Sequence, residues 1–147
     1  MKKTMFLAFA AVGAMSVLLA AQSGGSAVTH VDPEKVAAAL AKGGVLTSST
    51  DLIVQGGHRE VAGQVEVHDK QTDVIYVVDG EATFVTGGTM VDGKVSGPGQ
   101  WLGASITGGQ SQHLVKGAVV VVPAGIPHWF KEVPKSVSYL VVKVLKP

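Results

Sequence analysis

Glu66 and His68 stand two residues apart in Val65-Glu66-Val67-His68. On a strand, alternation puts these two on one face and Val65 and Val67 on the other. Same-face neighbours have Cα atoms roughly 6–7 Å apart, close enough for a carboxylate and an imidazole to grip one metal ion. Further on, Asp73 shares a face with Ile75 and Val77, so a carboxylate sits at the mouth of an otherwise apolar strand. His128 follows the rigid turn Pro123-Ala124-Gly125-Ile126-Pro127 and shares its face with Phe130 and Glu132. Glu132 is thereby a candidate general base.

The other residues with chemical potential carry less. His30 and His58 fall in stretches of small residues and glycine and are expected in solvated loops, and His113 is expected to point outward beside an inward Leu114. Trp101 is expected to pack on the surface, and Trp129 to face away from His128. The chain has no cysteine, which excludes disulfides, thiolate ligands and a Cys nucleophile. Gly103-Ala104-Ser105-Ile106 lacks the second glycine and following helix of a nucleophile elbow, so a serine hydrolase is the poorest option.

Composition says what must position these groups. Charged residues make up only 16% of the chain and 19 residues are Gly, with valine concentrated in short runs, a pattern of many short strands joined by tight turns. The expected strands are 46–55, 59–68, 73–79, 82–86, 89–91, 104–107, 113–116, 119–122, 128–132 and 137–145. Turns are expected at Gly56-Gly57, Asp79-Gly80, Gly87-Gly88, Asp92-Gly93, Gly97-Pro98-Gly99 and Gly108-Gly109. Closely spaced strands without intervening helices mean an antiparallel sandwich or barrel. One short helix is expected over Pro33 to Lys42, with Asp32 as N-cap, Pro33 at the first position and Gly43-Gly44 as terminator. Val36 and Leu40 would pack it on the outside of the barrel.

The chain resembles the cupin superfamily. The second motif of that family, Gly-x5-Pro-x-Gly-x2-His-x3-Asn, is met by Gly117, Pro123, Gly125 and His128, with Glu132 at the Asn position. In the first motif His68 falls where the second histidine belongs, Asp73 stands at the Glu position, and Gly80 follows. Glu66 replaces the first histidine, Asp73 is one carbon shorter than Glu, and Gly63 departs from the usual glycine spacing. The two motifs span Gly63 to Glu132, and the flanking strands extend the likeness to most of the chain after its leader. The resemblance implies an all-β fold, a single jelly-roll β-barrel, and a divalent metal. Where family members use three His and one Glu, it carries over here to Glu66, His68, Asp73 and His128. That donor set suits Mn²⁺, Fe²⁺, Ni²⁺ or Zn²⁺. Two carboxylates and two imidazoles converging in an apolar barrel would repel and desolvate one another without a cation, which also points to a bound ion.

Residues 1–21 read as a secretory signal peptide, with Lys2 and Lys3 before an apolar run from Met5 to Leu19 and the small Ala20-Ala21 at the cut. Residues 22–31 read as a flexible leader and 32–147 as the barrel domain. The expected product is exported, periplasmic or extracellular, and no longer membrane-attached. Without Lys2 and Lys3, ten Lys and Arg stand against eleven Asp and Glu, and no basic patch appears, so nucleic acid is not an expected partner. A homodimer is implied by the resemblance and by the outward apolar face of 137–145. Two functions fit: a metal-dependent enzyme of dioxygenase, lyase or isomerase type acting on a small molecule, or a non-catalytic module binding a small-molecule ligand. No Arg or Lys within the motifs is set to clamp an anion, which disfavours keto-acid and nucleotide-sugar substrates.

Overall fold

A strand buried on one face needs a second layer to cover it, and this chain supplies that layer by folding one long strand across two sheets. The structure is a computed structural model and describes residues 28–147; the expected signal peptide and most of the leader lie outside the described residues. Helix α1 (Pro33–Lys42) precedes twelve strands. They are β1 (Gly44–Ser48), β2 (Leu52–Arg59), β3 (Val65–His68), β4 (Gln71–Thr86), β5 (Thr89–Val91), β6 (Lys94–Gly97), β7 (Gln100–Gly103), β8 (Ser105–Thr107), β9 (Gln110–Val115), β10 (Val119–Val122), β11 (His128–Glu132) and β12 (Val137–Leu145). Every pairing is antiparallel. Among the described residues no helix is long and apolar enough to cross a membrane.

The first half of β4 pairs with β12 and β10, and β12 continues to β2 and β1. The second half pairs with β9 and β11, and β11 continues through β3 and β7 to β6. The result is the curled, two-layered jelly roll expected of the sequence. Between the layers lie Ile75, Val77, Phe84, Leu114, Phe130, Tyr139 and Val141. Phe84 and Phe130 meet edge to face at 4.7 Å, and Phe130 stacks on Tyr139 at 4.8 Å.

Two glycine loci make this bend and packing possible. Gly80, where β4 passes between layers, has φ +77°, and a Cβ there would lie 2.0 Å from the Ser136 carbonyl oxygen. Gly56 and Gly57 lie inside β2, not in the expected turn, because neighbours press on their backbone. A Cβ on Gly56 would strike Ala39 of α1 at 2.6 Å, and one on Gly57 would strike the Tyr139 ring at 2.3 Å. The helix has the expected bounds, but Ala39 is its buried residue, while Val36 and Leu40 are half-buried.

Four strands match the expected limits: β5, β10, β11 and β12. The expected strand 46–55 is β1 and β2 with a turn at Ser49–Asp51, where Ser49 Oγ donates to the Asp51 carboxylate at 2.5 Å. The expected 59–68 keeps only β3, since 60–64 is a loop anchored by Gly63 N–H on Phe130 O at 2.9 Å. The expected strands 73–79 and 82–86 are one strand, because Gly80 bends the chain without breaking it. β6 and β7, polar and glycine-rich, had too few apolar residues to be recognised.

Gly80→Ala should lower the unfolding free energy by roughly 3 kcal/mol, as strain and backbone clash add. Gly87→Ala, at φ +73° with open space around it, should cost about 1 kcal/mol. Urea melts of the two variants check this pair.

Candidate functional site

Cross-strand register collects the site. On β3, Glu66 lies opposite His128 of β11, and His68 lies opposite Gln100 of β7. Residues directly opposite share a face, so all four point between the layers. From the other layer, Asp73 of β4 lies opposite Lys143 of β12. The turn carrying His128 is held to β3 by Gly125 N–H on His68 O at 2.8 Å.

The two imidazoles are oriented alike. His68 Nδ1 bonds to Gln100 Oε1, and His128 Nδ1 lies 3.2 Å from the Ile126 carbonyl. Each Nδ1–H is spent on a carbonyl, leaving Nε2 as the nitrogen available to a cation. The rings lie 5.1 Å apart, edge to face. Glu66, His68 and His128 each bring a donor atom within 4.8 Å of the others, and form a group that could hold a metal ion.

Asp73 reaches the same cluster but is not one of those three converging donors. Its Oδ2 accepts from Lys143 Nζ at 2.7 Å and lies 3.5 Å from His68 Nε2 and 3.8 Å from His128 Nε2. Its buried Oδ1 has no hydrogen-bond partner among the described residues. Lys143 Nζ also lies 3.0 Å from His68 Nε2. That contact belongs to the neutral imidazole, whose lone pair accepts from the ammonium; on a protonated ring the same nitrogen donates instead toward Glu66 and Asp73, each 3.5 Å away.

A second ion pair completes the cluster. Arg59 Nη2 donates to Glu66 Oε1 at 3.1 Å, its Nε donates to the Tyr139 hydroxyl at 3.2 Å, and its guanidinium lies 5.2 Å above the Phe130 ring. With neutral imidazoles, Glu66 and Asp73 are thus balanced by Arg59 and Lys143. Part of the positive charge that the buried carboxylates require is supplied by the protein itself. Both residues lie outside the motifs, to which the expectation of no anion-clamping Arg or Lys is confined. A signal existed for one of them: Lys143 has the parity of Val137, Tyr139 and Val141, all buried, so a lone Lys on that face had to point inward.

The electrostatics follow from these contacts. Burial opposes the charge on His68, but hydrogen bonds to Asp73 and Glu66 outweigh it and push its pKa up to about 9. At His128 burial prevails and lowers the pKa. Burial would raise Glu66, yet His68, His128 and Arg59 hold its carboxyl below the usual range. Asp73 is likewise held low against burial by His68 and Lys143. Burial raises the Tyr139 phenol, which stays protonated.

Other expected residues fall elsewhere. Glu132 is exposed and accepts from Thr83 Oγ1 at 3.2 Å. A register shift between Phe130 and Glu132 breaks the alternation and turns it from the face of His128. His113 is exposed as expected, 3.1 Å from Glu81. His58 is not in a loop: it lies half-buried on β2, with Nδ1 2.9 Å from Ser138 Oγ. Trp101 sits at the surface and donates to Asp69, while Trp129 donates to Gly63 O at 2.7 Å.

Residues 19–147 match the family described as Cupin. The chain belongs to the cupin family. Solved structures from other organisms share its fold. A Desulfitobacterium hafniense cupin superfamily protein is 17% identical with TM-score 0.50, covering 71% of this chain and 77% of that one. A Bacillus halodurans protein is 12% identical with TM-score 0.52, covering 70% and 69%. A conserved Klebsiella pneumoniae protein with a double-stranded β-helix domain is 17% identical with TM-score 0.50, covering 69% of each chain. At such identities the likeness is one of fold. No curated protein matches this cupin.

The raised His68 pKa sets a pH dependence for the metal-free cupin. A group whose pKa rises from about 6.5 on folding stabilises the fold fully below that pH and ceases to do so as pH passes about 9. Metal-free protein should therefore lose stability from pH 7 to pH 10, and His68→Gln should flatten that slope in thermal melts.

Proposed function

We propose that this cupin is an exported protein that holds one divalent metal ion on Glu66, His68 and His128 and acts on a small molecule in the adjoining cavity. The observation that carries this reading is the shared orientation of the imidazoles, both tied at Nδ1 to carbonyls, with donor atoms of both rings and of Glu66 within 4.8 Å of one another. Neutral imidazole and carboxylate donors suit Mn²⁺, Fe²⁺, Ni²⁺ and Zn²⁺ alike. When bound, the ion supplies Lewis acidity or a place for dioxygen, consistent with dioxygenase, lyase or isomerase chemistry. Asp73 serves as a fourth ligand only where Lys143 releases it.

The protein's own groups have distinct tasks. Gln100 and the Ile126 carbonyl fix the histidine tautomers. Arg59 holds one oxygen of Glu66, leaving the other, 3.5 Å from His68 Nε2, for the ion. Tyr139 accepts from Arg59, so its hydroxyl hydrogen remains for a ligand. Ile75, Phe130 and Val141 form the apolar part of the cavity wall.

Export rests on the charged, apolar and small-residue segments of residues 1–21. Self-association is supported by the outward apolar face of Tyr76, Val119 and Val121 on paired strands β4 and β10. A second reading, a non-catalytic binding module, is favoured by one specific observation: the Lys143–Asp73 and Arg59–Glu66 pairs balance the site's carboxylates within the protein.

Elemental analysis of protein purified without chelators separates the two. The metal reading predicts close to one equivalent of metal in the wild type and less than a tenth in His68→Ala/His128→Ala. Wild-type protein that takes up no metal on reconstitution would leave the binding module as the better reading.

A further inference from the structure

Resting on that metal reading, we infer that the cavity takes a small carboxylate, received by the Lys143 ammonium together with the Tyr139–Arg59 pair. Lys143 and Arg59 come from β12 and β2, yet both line the same cavity as Glu66 and His128. Their side chains are only 12% and 26% exposed. Each of these half-buried cations is matched by one carboxylate of the protein, Lys143 by Asp73 and Arg59 by Glu66.

Charge counting gives the ligand its sign. Glu66 and Asp73 balance Arg59 and Lys143, so the site is neutral with neutral imidazoles. A divalent ion adds two positive charges that nothing else in the cluster offsets. In a partly enclosed pocket that excess favours an anionic ligand over a neutral one of equal shape.

Hydrogen bonding assigns the contact. Lys143 Nζ has three hydrogens, and its acceptors are His68 Nε2 and Asp73 Oδ2. A metal on His68 removes that nitrogen as an acceptor, since the lone pair is used. The ammonium, held by Asp73 beside the cavity, then needs a new acceptor, and a ligand carboxylate oxygen meets the need. The Tyr139 hydroxyl, kept protonated by burial, offers a second donor, and the amides of Gln55 and Gln64 line the wall.

Size narrows the class. The enclosed part of the cavity is about 70 Å³, room for roughly two waters, and it opens to solvent. That space fits the carboxylate head of a small acid, with the rest of the molecule toward the opening. With both cations supplied from outside the motifs, keto acids such as pyruvate come within this class.

Calorimetric titration of zinc-loaded protein with acetate, pyruvate and the uncharged acetamide tests this. Acetate and pyruvate should bind at least tenfold tighter than acetamide, and Lys143→Met should weaken acetate at least tenfold while retaining zinc. Should Lys143→Met fail to fold, Lys143→Met/Asp73→Asn removes the ion pair as a neutral unit and asks the same question. Equal affinity for acetate and acetamide, or acetate binding indifferent to Lys143, would overturn the inference while the metal site stands. Failure of the wild type to take up zinc is a separate readout and would remove both.

Discussion

The constraint on which this structure turns is the burial of charge between two apolar sheets. Asp73 and Lys143 sit opposite one another in register, so each has a partner as soon as β4 and β12 pair. Removing one member of such a buried pair typically costs about 3–5 kcal/mol, because the other charge is left without compensation. The pair is therefore a requirement of the fold as well as a feature of the site. Arg59 and Glu66 repeat the device across the gap between the layers, with the guanidinium resting on Phe130. Polar chemistry in the middle of the barrel is possible because each charge arrives already matched.

Geometry follows from the same economy of placement. β4 crosses from one layer to the other at Gly80, so one strand carries both Asp73 and the Phe84 that packs against the His128 ring at 6.1 Å. Both histidines are held at two points, backbone and Nδ1, and neither needs a metal to keep its orientation. A preorganised pair of Nε2 atoms beside a carboxylate favours a cation, while Lys143 competes for one of those nitrogens. Metal and ammonium thus share a single acceptor, which couples occupancy of the metal position to what Lys143 does next.

Much of this was legible in the sequence, for identifiable reasons. Period-two alternation placed Glu66 with His68, and the spacing of Gly117, Pro123, Gly125 and His128 marked the turn that delivers the third donor. The helix limits were readable from Asp32-Pro33 and Gly43. What was not legible depended on partners distant in sequence. Gly56-Gly57 looks like a turn until Ala39 and Tyr139 are known to press on it. The irregularity that turns Glu132 outward exists only in the pairing of β11 with β4. Arg59 and Lys143 lie 84 positions apart and share a cavity only through the β2–β12 ladder, although the parity of Lys143 within β12 was an available clue.

The central claim is that two imidazoles and Glu66, not Asp73, hold the ion. X-ray absorption at the metal edge of loaded wild-type protein and of Asp73→Asn tests it most directly. The account predicts two imidazole ligands plus carboxylate oxygen in both proteins, with the imidazole signal unchanged by the substitution. A spectrum with one imidazole or none, or an ion lost on replacing Asp73, would contradict it.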